Sequence, residues 1–474
     1  MIPVSAFAGR NVAVFGLGRT GLTAVRALEA GGARVSAWDD GEATRARAAS
    51  EGVTLTDLNG VDFAQFDALV MSPGVPLYHP QAHWTVARAE GAGVPVIGDV
   101  ELFARTLNAL DDAVRPRVVA ITGTNGKSTT TALIGHILSS CGKDTRVGGN
   151  IGLGVLGLAP PRAGAIYVLE LSSFQLDLVQ SLRANVAIHL NLTPDHLDRH
   201  GTMDRYAQAK RMIFQNQSVG DAAIVGVDDD NGESLCTRLM AGRGHVVPIS
   251  SGQTLGKGVY ALGTRLFDAI DGRAQQVADL TGALALRGAH NAQNAASAYA
   301  ACRALGLSPK AICDAMLTFP GLPHRLEKVG EIGGVSFIND SKATNADAAA
   351  QALAAYPKLY WIAGGVPKAE GIEPLVRFFK KVECAYLIGD AAGAFAETIG
   401  TAAPHVTSGT LEAATKAALA DASARGGEAI VLLSPACASF DQFKDYEARG
   451  DAFRAIVADL MAAAKAPTAL EAIA

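Results

Sequence analysis

An α/β fold in three successive segments, each a mostly parallel sheet wrapped by helices, follows from three observations in the 474 residues. Short apolar runs end again and again in glycine-rich or polar turns and lead into helix-patterned stretches, an alternation that builds parallel sheets rather than hairpins. Two of these turns have phosphate-binding character: Gly16-Leu-Gly18-Arg-Thr-Gly21 and Gly123-Thr-Asn-Gly126-Lys127-Ser128. The texture breaks twice, at the largely polar stretch 108–117 and at the proline-bearing stretch 319–325, which divides the chain into 1–110, 111–322 and 323–474.

Composition narrows the function classes. Hydrophobic residues make up 49% and charged residues 18%, which favours a folded chain over a disordered one. A formal net charge of -5 offers no basic footprint, so no nucleic-acid partner is expected. The six cysteines, Cys141, Cys236, Cys302, Cys313, Cys384 and Cys437, show neither a CxxC pair nor metal-ligand spacing and read as small buried hydrophobes of a reducing compartment. The longest uncharged apolar stretch, 147–161, is interrupted by glycines and ends in Pro-Pro, short of the roughly 20 residues a span requires. No membrane insertion is expected, and the cytoplasm is the expected compartment.

In the first segment the strand pattern Asn11-Val-Ala-Val-Phe15 enters the Gly16–Gly21 turn and an alanine-rich helical run to Ala30. The next strands, Arg34-Val-Ser-Ala-Trp38 and Ala68-Leu-Val-Met71, end in Asp39-Asp40 and Ser72-Pro73-Gly74. A dinucleotide fold with Asp39 or Asp40 on a ribose is one reading, and it would make the chain a dehydrogenase. A nicotinamide enzyme needs no second phosphate loop, however, so the turn equally suits another phosphorylated, nucleotide-like group.

The second segment opens with that loop. Val118-Val-Ala-Ile-Thr is an apolar strand emptying into Gly123-Thr124-Asn125-Gly126-Lys127-Ser128-Thr129, where backbone N–H groups, a helix N-terminus and Lys127 converge on a phosphate and Ser128 can reach Mg²⁺. The common phosphate loop has a glycine where Ile121 stands, so this one is a distinct variety. A helix over 128–140 and strands at 166–170 and 186–190 follow. Glu170 ends its strand at the sheet edge, as a Mg²⁺ ligand or water holder would, or as a solvated edge acid. The loop Asn191-Leu-Thr-Pro-Asp195-His196-Leu-Asp-Arg199-His200-Gly201 offers His196 to a divalent ion or phosphate, and His200 reads as a ligand or equally as a capping or surface histidine. Lys210 shares a helical face with Tyr206, and its context alone describes a solvated lysine. The stretch 255–285 reads as a few antiparallel strands, and 287–305 as a helix.

The third segment repeats the pattern. Strands over 335–338, 359–363, 385–388 and 430–433 lead into Asn339-Asp340-Ser-Lys342-Ala-Thr344-Asn345, Gly364-Gly-Val-Pro-Lys368, Gly389-Asp390 and Ser434-Pro-Ala-Cys-Ala-Ser439-Phe440. Open α/β sheets keep their ligands at such strand ends, and small-residue turns there can hold an anion.

Taken in order, the tracts around 123–129, 148–152, 169–176, 195–200, 288–294, 323–325, 339–345 and 434–443 resemble the Mur ligases of peptidoglycan synthesis, a superfamily shared with folylpolyglutamate synthase, and within it the D-glutamate-adding branch. The resemblance implies a Rossmann-like N-terminal domain, a P-loop-type central ATPase domain and a Rossmann-like C-terminal domain. It further implies ATP-driven amide ligation: the carboxylate of UDP-N-acetylmuramoyl-L-alanine takes the γ-phosphoryl group, D-glutamate attacks the acyl phosphate, and ADP and phosphate are released.

Site residues carried over by the resemblance fall into three groups. Gly18, Arg19, Thr20, Ser72, Pro73, Gly74 and Asn150 hold the UDP-linked substrate. Gly123, Thr124, Asn125, Gly126, Lys127, Ser128 and Thr129 hold the ATP phosphates, Asn291 and Asn294 contact adenine, and His324, Arg325, Asp340 and Lys342 bracket the nucleotide. Thr344, Lys368, Ser439, Phe440 and Tyr446 match the D-glutamate pocket. Lys127, Glu170, His196 and Lys210 are the implied catalytic set, and Ser128, Glu170, His196 and Lys210 the implied ligands of two Mg²⁺ ions. The family carbamylates the lysine that matches Lys210, so N6-carboxylysine is expected there, and a monomer is the expected state. Three positions depart from the pattern. Trp38-Asp39-Asp40 replaces a Thr-Arg found in some relatives, Pro367 stiffens the approach to Lys368, and Tyr446 stands where Phe is common. No Asp-Asn-Pro-Arg signature of diaminopimelate-adding relatives occurs.

Overall fold

The computed structural model describes residues 1–242, 244–368 and 371–465. They form two compact units, Met1–Phe319 and Pro320–Ala474, separated within the proline-bearing stretch.

The first unit holds two sheets. One has the order β2-β1-β3-β4, all parallel, from β1 (Asn11–Phe15), β2 (Arg34–Trp38), β3 (Ala68–Met71) and β4 (Val96–Ile97). The other has nine strands in the order β13-β12-β11-β10-β9-β8-β5-β7-β6. Its strands are β5 (Arg117–Thr122), β6 (Thr145–Gly149), β7 (Ile166–Glu170), β8 (Val186–His189), β9 (Ala222–Gly226), β10 (His245–Ser250), β11 (Val259–Leu262), β12 (Arg265–Asp268) and β13 (Gln275–Asp279). Pairing is parallel from β6 to β11, and the expected antiparallel strands of 255–285 are β11, β12 and β13.

Strands β5, β7 and β8 are apolar along most of their length, over 118–121, 166–169 and 186–188, because both of their faces are covered. Val119, Ile121, Val168 and Ile188 pack on one side with the helices Lys127–Ser140 and Ala289–Ala304, while Val118, Ala120, Leu169 and Ala187 pack on the other. Alanines along Ala289–Ala304, buried from 291 to 302, bring that helix close against Lys127–Ser140. Register then fixes the site edge: Ile121 pairs with Glu170 of β7 and Thr122 with His189 of β8, so the loop at 123–126 leaves the sheet between these two strand ends.

The second unit is a six-stranded sheet, β14-β15-β19-β16-β17-β18, with β14 (Glu327–Ile332) antiparallel to β15 (Val335–Asn339) and the rest parallel: β16 (Leu359–Gly364), β17 (Val382–Ile388), β18 (His405–Gly409) and β19 (Ala429–Leu433). Two apolar clusters cover its faces, one around Trp361 and Phe379, the other around Phe337, Tyr386 and Phe453. The order β15-β19-β16 places three strand ends side by side, those of the 340–345, 434–439 and 365–368 tracts. Among the described residues no helix is long and apolar enough to cross a membrane.

Candidate active site

At the edge of the nine-stranded sheet, Gly126 takes φ +83° as the N-cap of the helix Lys127–Ser140. A Cβ at Gly126 would overlap Asn294 Oδ1, so both conformation and space demand glycine. Lys127 Nζ curls back onto the loop, donating to the carbonyls of Gly123 (2.9 Å) and Thr124 (2.8 Å). The loop is held from behind by amides: Asn125 N–H donates to Asn191 Oδ1 at 2.9 Å, and Asn191 Nδ2 to Gln293 Oε1 at 2.9 Å. Thr130 Oγ1 donates to Asn294 Oδ1 at 3.1 Å, and Asn294 Nδ2 to Asn291 Oδ1 at 3.0 Å. Asn291 and Asn294 are thus buried beside the loop and tied to it. Ser128 and Thr129 occupy the first turn of the helix.

Glu170, for which sequence context allowed a solvated edge acid, and Lys210, which it described as a solvated lysine, are both buried here. Glu170 is 2% exposed; Oε1 accepts from Asn150 Nδ2 at 2.9 Å, while Oε2 is buried without a hydrogen-bond partner. The solvated-edge reading of Glu170 is therefore overturned, because β7 ends under the loop rather than at the surface. An unsatisfied buried carboxylate oxygen is costly unless a cation meets it, and Mg²⁺ fits that donor. Lys210 is 1% exposed, which corrects the solvated reading. Its helix Met203–Arg211 turns the 206/210 face inward, where Lys210 Nζ donates to Gly123 O at 2.8 Å and lies 4.6 Å from the centre of the Tyr206 ring. Burial, reinforced by the Lys127 charge, pulls the Lys210 amine down to about 6. The amine is consequently largely neutral at pH 7.

His196 has φ +53°, half exposed at the start of the short helix Leu197–His200, with its ring 4.9 Å from that of Phe174. His200 is neither a cap nor a surface residue: it is 1% exposed, with Nε2 2.9 Å from Ser173 Oγ. No group of three or more His, Cys, Asp or Glu side chains suited to a metal occurs among the described residues.

In the four-stranded sheet the glycine turn is braced by Asp39. Its Oδ2 accepts from Leu17 N–H at 2.7 Å and its Oδ1 from Gly41 N–H at 2.8 Å. Both oxygens being so engaged, Asp39 shapes the turn instead of reaching for a ribose, and Asp40 faces His83 and Trp84. Gly21 lets the helix Arg19–Ala30 close on the Gly16 carbonyl, and Ser72 Oγ donates to that same carbonyl at 2.7 Å. Gly18, Arg19 and Thr20 thus lie at a helix start next to 72–74, as a phosphate-bearing ligand requires.

Within the second unit, His324, Asp340, Lys342 and Tyr446 meet. Lys342 N–H donates to His324 O at 3.0 Å, and Lys342 Nζ stands 3.9 Å from the centre of the Tyr446 ring. Asp340 accepts from Ser434 Oγ at 2.8 Å, and burial raises its carboxyl to about 7. Arg325 lies beside His324, Thr344 ends the 340–344 turn, Ser439 is buried, and Lys368 and Phe440 (72%) are exposed.

Arg449 carried no expectation from sequence. Its buried guanidinium donates to Ser341 Oγ (2.9 Å) and to the carbonyls of Ser341 (2.8 Å) and Cys437 (3.1 Å), tying the 340 and 434 tracts together. Gly450 was the available signal. A glycine inside the helix Tyr446–Lys465 marks a close approach, and a Cβ there would overlap the His324 ring.

Three family models match the chain: Mur ligase MurD-like N-terminal domain over 10–98, Mur ligase middle domain over 121–302, and Mur ligase, glutamate ligase domain over 324–437. The chain is 60% identical over 461 residues to the UDP-N-acetylmuramoylalanine--D-glutamate ligase of Phenylobacterium zucineum, covering 97% of this chain and 98% of that one. It is 60% identical over 463 residues to the ligase of the same name from Caulobacter vibrioides, covering 98% of each. Among solved structures it superposes on a UDP-N-acetylmuramate-alanine ligase, MurC, of Thermotoga maritima with TM-score 0.56 at 18% identity, covering 96% of this chain and all of that one. A UDP-N-acetylmuramoyl-L-alanyl-D-glutamate--2,6-diaminopimelate ligase gives 0.56 at 20% identity, covering 85% and 94%. At these identities the two structures speak for the fold alone.

Proposed function

The chain belongs to the Mur ligase family, and from that premise we infer that it is the ligase that adds D-glutamate to UDP-N-acetylmuramoyl-L-alanine at the expense of ATP. In the assignment we favour, 1–110 binds the UDP-linked substrate, 111–322 the nucleotide, and 323–474 D-glutamate. One observation carries the reading physically: Lys127 and the buried Lys210 amine meet on the Gly123 carbonyl of the phosphate loop, and the unsatisfied Glu170 carboxylate, in register with Ile121, lies close enough for its charge to act on Lys210.

The reaction brings a carboxylate against a triphosphate, so neutralising charge matters more than proton transfer. Lys127 leaves the Gly123 and Thr124 carbonyls for the phosphates when nucleotide fills the loop. Glu170, His196 and Ser128 would hold Mg²⁺, which when bound supplies Lewis-acid stabilisation of the transferring phosphoryl group.

Lys210 enters as a modified side chain in this reading. A neutral amine attacks CO₂ through its lone pair, forming an N–C bond and losing a proton, and the resulting carbamate is an anionic oxygen donor where the free amine is none. Burial that pulls the amine down to about 6 favours that chemistry at neutral pH. In this reading the Asn291–Asn294 pair, buried beside the loop, contacts the adenine of the nucleotide. The Lys342–Tyr446 pair, with Thr344, Lys368 and Ser439 in tracts that follow neighbouring strands, would supply cation and hydroxyl groups suited to a dicarboxylate amino acid.

The test is phosphate release with ATP, Mg²⁺ and UDP-N-acetylmuramoyl-L-alanine. Release is expected to require D-glutamate; equal turnover with L-glutamate or diaminopimelate overturns the assignment.

A further inference from the structure

Between the substrate loop at 72–78 and the 195–201 turn runs a set of contacts that the reaction as described does not use. The Arg199 guanidinium donates to three successive backbone carbonyls, Pro73 (3.2 Å), Gly74 (2.6 Å) and Val75 (2.9 Å). Its carbon lies 4.9 Å from the centre of the Phe174 ring. That ring in turn meets His196 at 4.9 Å and stacks on His200 at 5.4 Å with 23° between planes. On the far side of His200, Nδ1 is 3.4 Å from Tyr78 Oη and 3.6 Å from Asp177 Oδ2, and Tyr78 donates to Asp177 at 2.7 Å. Ser173, His200 and Asp177 have the order of a nucleophilic triad, but Ser173 and His200 are both buried, so no substrate reaches them.

Resting on the function inferred above, we propose that Arg199 is a positioning residue, and that with Tyr78 and His200 it sets the distance between the UDP-substrate loop and the His196-bearing turn. The physical reason is geometric. The loop that holds the substrate follows a strand of one sheet and His196 follows a strand of another, and the side chains crossing between these two loops bear directly on where the substrate carboxylate stands relative to the phosphates. A planar guanidinium can engage three carbonyls at once, whereas a lysine ammonium offers a point charge without that fork. Its stacking on Phe174 carries the constraint directly to the His196 ring. Misplacement by about 1 Å at a reacting centre costs on the order of 100-fold in rate.

The experiment measures kcat and KM for all three substrates with the full chain and its Arg199→Lys, Arg199→Ala and Tyr78→Phe variants, together with thermal unfolding. Arg199→Lys is expected to lower kcat about 30- to 100-fold and to raise KM for the UDP-linked substrate, with KM for ATP and D-glutamate within about two-fold and the unfolding midpoint unchanged. Tyr78→Phe is expected to move the same parameters by about 3- to 10-fold, and added guanidinium ion to restore roughly ten-fold of kcat to Arg199→Ala. Unaltered kcat in Arg199→Lys overturns the proposal. So does a uniform rise in all three KM values with a lower unfolding midpoint and no guanidinium rescue, which marks a merely structural role. A wild-type chain that fails to ligate D-glutamate overturns the function and the positioning role with it, whereas a competent wild type beside an unaffected Arg199→Lys overturns the positioning role alone.

Discussion

Replacing Gly126 by alanine should disable the phosphate loop through a side chain 168 positions away, Asn294. Two costs add. At φ +83° a residue with a Cβ is destabilised by about 1–2 kcal/mol. The new Cβ also overlaps Asn294 Oδ1, and moving that amide breaks its bonds to Thr130 Oγ1 and Asn291 Oδ1, each worth about 1 kcal/mol. Together they set about 3–4 kcal/mol against the loop geometry of the structure, or roughly 100- to 1000-fold in affinity for Mg-ADP. Calorimetric titration of Gly126→Ala, Asn294→Ala and the double variant separates the terms. Asn294→Ala alone is expected to weaken binding by about 2 kcal/mol, and the double variant to be no worse than Gly126→Ala, since the two Asn294 bonds are lost in both and are counted only once beside the backbone strain. Affinity within about three-fold of wild type for Gly126→Ala, or strict additivity in the double variant, refutes the reasoning.

Three further outcomes are expected. Lys210→Ala should lose ligation by at least about 1000-fold, and formate or acetate should restore part of it by supplying the missing carboxylate; unimpaired turnover removes the carbamate role. Glu170→Gln, which keeps shape and loses charge, should raise the Mg²⁺ concentration needed for half-maximal activity about ten-fold or more, and an unshifted Mg²⁺ dependence contradicts the metal assignment. Asp99 is buried, and burial raises its carboxyl from the ordinary 3.8 to about 6. The folded chain therefore binds the Asp99 proton more tightly than the unfolded one. Its contribution is complete below pH 3.8 and lost as pH rises through about 6, at most about 3 kcal/mol. Asp99→Asn should accordingly raise the urea midpoint at pH 7–8 but leave it nearly unchanged near pH 4; a gain that is the same at both pH values sinks this account.

Strand and loop chemistry were legible wherever they are local. The ends of β1, β3 and β7 fall where the apolar runs stop, since a strand buried on both faces is apolar along most of its length. The helix over 287–305 is shorter by a few residues, running Ala289–Ala304, because Gly288 takes φ +94° before it. The burial of Lys210, Glu170 and His200 was not legible in sequence for one shared reason: it is set by neighbouring strands and helices far away along the chain.

Chain order alone determined three mostly parallel α/β segments, a phosphate loop with Ile121 in place of the usual glycine, and a set of acids, lysines and amides at strand ends. Those are consequences of hydrophobic period and turn chemistry, which act over a few residues. Tertiary structure decided which strand ends become neighbours. The order β8-β5-β7 puts Glu170 and the 191–201 turn on either side of the loop, and β15-β19-β16 gathers three tracts spread over a hundred residues. It also decided charge state, since the depressed Lys210 amine arises from desolvation by residues remote in sequence. Desolvation depends on the closed shape of the fold, and no local stretch of chain carries that information.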